Sequence, residues 1–230
     1  MAQSALVERT QPPASLANPA ARDTSAARLM RLAGLAALLG GALLVIPDAV
    51  GGLTGTSGNS YGSTTLEQVW SGIFLAGKLL VAVGLPGLCL YQAERAGKFG
   101  LISFLMALIG TTLMVGSDWS EVFIAPLLKQ SAPVLVDHPP MRLMAGFLMN
   151  FGLETLGWLL FGIATFRARV FSRAVAGTLM IGVLLPLAGP SWSFVVWNAA
   201  IAWMGFVVMQ QTREHALHVA QAEPFHEWLH

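Results

Sequence analysis

Of the 230 residues, 55% are hydrophobic and only 11% are charged, far below the roughly 25% charge of an ordinary soluble domain. A net charge of +1 offers no basic face for nucleic acid, and nucleic acid is not an expected partner. The single Cys89 rules out an intramolecular disulfide and a cysteine metal site.

The apolar residues come in runs rather than amphipathic stripes, so the expected solvent and first partner is the lipid bilayer. Residues 1–28 are rich in Ala, Ser, Thr and Pro, with Pro12, Pro13 and Pro19 and no apolar period, and read as a disordered cytoplasmic tail. The first apolar run, 29–46, follows Arg28. Pro47 and Asp48 stand where a small-residue cleavage site would be needed, so the run reads as a membrane span and not as a signal peptide. Further runs cover 69–91, 99–125, 143–166, 170–188 and 192–209, each near the ~20 residues that cross a hydrocarbon core. The expected fold is therefore all-α, a polytopic membrane protein with a bundle of about six transmembrane helices. The fifth run is short and interrupted by Pro186, and the Gly189-Pro190 turn leaves almost no loop before the sixth. Residues 210–230 read as a cytoplasmic amphipathic tail, with Trp228 and Leu229 as anchors.

Orientation follows from Lys and Arg, which accumulate on the cytoplasmic side. With the N-terminus inside, ten bases from Arg9 to Arg213 fall in cytoplasmic segments, and only Lys129 and Arg142 fall outside. Both termini are then expected in the cytoplasm. Trp70, Trp119 and Trp192 fall at outer ends, where an aromatic belt belongs.

The polar residues inside the runs are few. Lys78 and Glu154 lie about nine and eleven residues from the outer ends of the second and fourth runs, roughly 15 Å deep. Each charge costs on the order of 3 kcal/mol alone at mid-bilayer, so both must face protein or water, and each is the other's obvious partner. Asn150 is one turn outward of Glu154, and Asn198 reaches a similar depth on the sixth run. These four define an expected intramembrane polar pocket in the outer half of the bundle, against the plainer and favoured expectation that Lys78 and Glu154 form a structural ion pair gluing two helices while the asparagines bond across helices. Asp48, Asp118 and Glu121 define an expected outer acidic rim; Asp118 and Glu121, one turn apart, suit attraction of a cation or an amine, against the more ordinary expectation that acids near a helix end are simply solvated.

Two functions fit this pattern. One is a bundle that binds or moves a small solute through the outer-half pocket. The other is a non-catalytic module that associates with itself or with a membrane partner through small-residue faces such as Ala33, Ala37 and Gly41. No P-loop and no H-E-x-x-H recruits the chain to enzymology, and no cofactor or metal is expected. The terminal His215, His218, His226 and His230 include one i, i+4 pair, but Pro224 divides them and no zinc motif forms.

Overall fold

The computed structural model describes residues 19–54, 65–189 and 192–222. The expected disorder of residues 1–18 and the anchoring role of Trp228 and Leu229 lie outside the described residues. The described residues are almost entirely helical, and no strand occurs among them. The elements are α1 (Pro19–Thr54), α2 (Thr65–Phe123), α3 (Ala125–Ser131), α4 (Pro133–Asp137), α5 (Met141–Ala168), α6 (Arg173–Leu184) with a 3-10 turn Leu185–Ala188, and α7 (Ser193–Ala222).

Among the described residues, four helical stretches are long and apolar enough to cross a membrane: Ser25–Gly51, Thr65–Phe123, Pro133–Ala168 and Ser193–Glu214. Large apolar side chains such as Leu39, Val83, Leu105, Ile109, Ile181 and Phe206 stand exposed on their outer faces. Together these features suggest a membrane location. In lipid the backbone has no water to bond, so apolar sequence closes its hydrogen bonds within helices. That demand carries α1 through Pro47 and α2 through Pro86 without a break.

The 59 residues of α2 would stretch about 90 Å if straight, roughly three times a hydrocarbon core. Gly97, at φ 58 and ψ −153, breaks it into two limbs, 65–96 and 98–123. That conformation is open to glycine because it has no Cβ. The break folds the limbs back on each other, so Lys78 and Asp118, nearly equidistant from Gly97 in sequence, come within electrostatic reach. The shorter stretch Arg173–Ala188 begins at an N-cap, where the Ser172 hydroxyl accepts from the Val175 amide at 3.3 Å.

Small residues set how closely the helices approach. A Cβ on Gly84 would meet the Ala37 backbone nitrogen at 2.5 Å, and one on Gly41 would meet Asn198 O and Ala202 N at 2.6 Å. Gly110 and Gly157 stand equally close to the backbones of Glu154 and Ala107. These pairings run antiparallel: α1 against the first limb of α2 and against α7, and the second limb against α5. The circuit closes through α6, which touches both α5 and α7.

Two boundaries differ from the sequence reading. α1 begins at Pro19, inside the stretch expected to be disordered to residue 28, and α7 continues to Ala222, well past 209. Residues 19–28 and 210–222 lack apolar runs but contain many helix formers, and each extends a helix already nucleated by its apolar part.

Candidate functional site

Polar side chains gather in the half of the bundle remote from Gly97. Lys78 Nζ donates to Glu154 Oε1 at 2.6 Å. The Glu154 side chain is 2% exposed and that of Lys78 12%, so the sequence-derived pair is brought together between the first limb of α2 and α5. Asn198 of α7 donates through Nδ2 to Asp48 Oδ2 of α1 at 2.8 Å. Lys78 lies within electrostatic reach of Asp48 and Asp118 as well as Glu154. One ammonium is thus bonded to the carboxylate of α5 and lies within electrostatic reach of two more, from α1 and α2.

Asn150, one turn from Glu154, donates to Ser117 Oγ at 3.2 Å, tying α5 to the second limb of α2 beside Asp118. The solvated rim needs correction for two of its three members, because Asp48 is 7% and Asp118 6% exposed. Each stands near the end of an apolar run, which is why the sequence alone makes both look solvated. α1 continues past Asp48 to Thr54 and α2 past Asp118 to Phe123, so neither acid is at a helix terminus. Glu121, one turn beyond Asp118, is half-buried and within electrostatic reach of it.

The three carboxylates are not equally satisfied. Glu154 has Lys78 and Asp48 has Asn198, whereas Asp118 Oδ2 is buried with no hydrogen-bond partner. Trp197, 3% exposed, likewise has a buried Nε1 without a partner. Its ring lies 5.6 Å from Lys78 Nζ, within cation–π distance. From Trp197 a row of rings runs through Phe194, stacked at 6.3 Å, to Phe151 at 6.2 Å and Phe147 at 6.4 Å. Trp158 flanks Trp197 at 6.4 Å and donates its indole N–H to Thr111 Oγ1 at 2.9 Å. Among the described residues, no three His, Cys, Asp or Glu side chains are placed to hold one metal ion.

The half nearer Gly97 differs in kind. Leu85, Leu88, Phe161, Val175, Leu179 and Met204 are fully or almost fully buried there. Basic residues stand around its end, with Arg167 over the Phe99 ring at 5.6 Å and Arg173 over Phe166 at 6.0 Å. One residue in this half escapes sequence reasoning. Gln92 is 1% exposed with neither side-chain amide atom partnered, beside a cavity of about 490 Å³ lined also by Tyr91, Glu94, Arg95 and Gln211. Its closeness to Glu94 and Arg95 in sequence gives it the look of an interfacial residue.

A second feature that escapes the motif reading is Gly58-Asn59-Ser60-Tyr61-Gly62, which matches the G-x-S-x-G pattern of a nucleophile elbow and lies outside the described residues. That elbow is a turn from strand to helix, and the described residues contain no strand. Comparison with protein-family models, with curated proteins and with solved structures finds no match.

Proposed function

We propose that this chain is a multi-pass membrane protein with six crossings and both termini cytoplasmic, and that it binds or moves a small solute through the polar cluster in the outer half of its bundle. The six crossings are α1, the two limbs of α2, α5, α6 with its 3-10 turn, and α7. Positive-inside asymmetry supports the orientation, since the Gly97 turn is flanked by Arg95 and Lys98, and the end of α5 and the turn after it carry Arg167 and Arg169.

The observation that carries the functional reading is the concentration of Asp48, Lys78, Asp118, Glu154 and Asn198 in one buried volume. Intramembrane ionisable groups are costly and mark solute and ion pathways by default. A structural ion pair needs one acid and one base, whereas this cluster holds two further carboxylates. The competing reading, a module that associates through small-residue faces, loses support from its own residues: Ala33, Ala37 and Gly41 are occupied by contacts within the chain.

Native mass spectrometry after gentle extraction tests the reading. The expected result is a small molecule retained by the wild type and lost from Lys78→Met with Glu154→Leu, both proteins remaining folded. No retained molecule, together with unchanged behaviour of the double variant, would return the cluster to a purely structural role. For the topology, a reporter fused at His230 should be active only if its activity requires the cytoplasm.

A further inference from the structure

We infer that the solute of this cluster is a protonated amine with an apolar body, its ammonium received by Asp118 and its body lying along the Trp197–Phe194–Phe151 rings. The inference rests on the solute-binding reading above and names the class of solute. Three observations carry it.

The first is the inventory of partners. Of the three carboxylates around Lys78, two have their own hydrogen-bond donors, and the Oδ2 of Asp118 has none. An uncompensated buried charge is expensive, and it is relieved either by taking up a proton or by a donor that brings positive charge. With Asp48, Asp118 and Glu154 ionised, Lys78 neutralises only one of three. The facing elements add Glu121 from α2 and, from α7, Asn198 and Trp197, none of which supplies a cation.

The second observation separates an ammonium from a metal ion. A cation such as Ca²⁺ or Mg²⁺ needs several oxygens converging at about 2.0–2.6 Å, and the described acids are not so placed. An ammonium needs one acceptor per N–H and tolerates partners spread around it, as the Lys78 ammonium itself does with Glu154.

The third observation is the aromatic row. Trp197 already faces one ammonium, and aromatic faces attract cations while offering apolar area to the rest of an organic ligand. A bare ion would make no use of Phe194 and Phe151. The unpartnered indole N–H of Trp197 leaves one donor for an acceptor group on the ligand.

The test uses full-length protein in lipid nanodiscs at constant ionic strength, with 2-phenylethylammonium chloride as probe. Methylammonium chloride, sodium chloride, sodium phenylacetate and 2-phenylethanol are the comparisons, and thermal stability and calorimetric binding are the readouts. The expected result is saturable binding and stabilisation by 2-phenylethylammonium, a weaker response to methylammonium, and none to the other three. Asp118→Asn, nearly isosteric, should weaken the response about tenfold or more, the loss of one charge-assisted hydrogen bond. An equal response to sodium would replace the amine with an inorganic ion. A response to phenylacetate or 2-phenylethanol would overturn the amine while leaving solute binding intact. Stability that follows pH alone and is the same in every salt would leave a proton as the only cation taken up and would overturn the inference. The wild-type panel separates these outcomes even if Asp118→Asn fails to fold.

Discussion

Leu88 and Lys78 lie on the same limb of α2, about three turns apart, yet they belong to interiors built on different principles. Around Leu88 the buried neighbours are Phe161, Val175, Leu179 and Met204, any of which could be exchanged for another apolar residue at the cost of fit alone. Around Lys78 the neighbours are Glu154, Asp48 and Asp118, and each depends on the charge state of the others. Between helices in lipid there is little hydrophobic drive, because lipid tails are as apolar as leucine, so helix association rests on close contact and on polar bonds. The Gly97 half relies on the first and the remote half on the second. The two halves should therefore fail differently.

The largest effect is expected in the remote half. Lys78→Met should destabilise by about 3–5 kcal/mol, because it leaves Glu154 buried and uncompensated. Lys78→Met with Glu154→Leu should recover most of that loss, since both charges leave together. Thermal denaturation in detergent micelles reads both, and a double variant no better than the single one would break the contrast. In the Gly97 half, Leu88→Ala should cost about 2 kcal/mol, the low end for an emptied leucine site, and no second substitution on a facing helix should rescue it by charge. The same denaturation assay, run at two pH values, should give the same loss at each.

The helix seams come next. Gly110→Ala would place its Cβ against the backbone of Glu154, whereas Gly116 on the same limb has nothing within 4 Å of its Cβ position. Gly110→Ala should cost about 1–3 kcal/mol by overpacking, and Gly116→Ala should be neutral or slightly stabilising. Equal effects would show that seam contacts do not set the spacing. The smallest effect is expected from Asn150→Leu, which removes the bond to Ser117. A loss of about 0.6 kcal/mol, the average for an interhelical polar bond in a membrane, is within reach of a careful urea or SDS titration.

Much of this contrast is legible in the sequence. Charge depletion and run length lead to helices, and counting residues from the outer ends puts Lys78 and Glu154 at one depth before any geometry is known. Asp48 is not legible as a buried group, because α1 continues beyond the apolar run 29–46 to Thr54, and Asp118, inside its run, is buried by neighbours that the sequence does not identify. The partner of Asp48 is Asn198, 150 residues away, and no local pattern signals a contact of that range. Ser117, the partner of Asn150, is a small hydroxyl with nothing in its surroundings to single it out. Gln92 is hidden for the opposite reason, since its charged sequence neighbours make it look solvated while its own side chain turns inward.

The glycine break in α2 also determines what kinds of mutation the cluster can absorb. Gly97 joins the two limbs with no intervening loop, so there is no slack in which an added or lost residue could be hidden. Each residue of an α-helix turns the chain by about 100°. A single-residue insertion between Gly97 and Asp118 would either swing the carboxylate to another face of its helix or push the whole limb along its axis by about 1.5 Å. Substitutions in this hairpin are thus local events, whereas length changes act on Asp118, Ser117 and Thr111 at once. A one-residue insertion or deletion between Gly97 and Asp118 should therefore disturb more of the cluster than any single substitution in the same stretch.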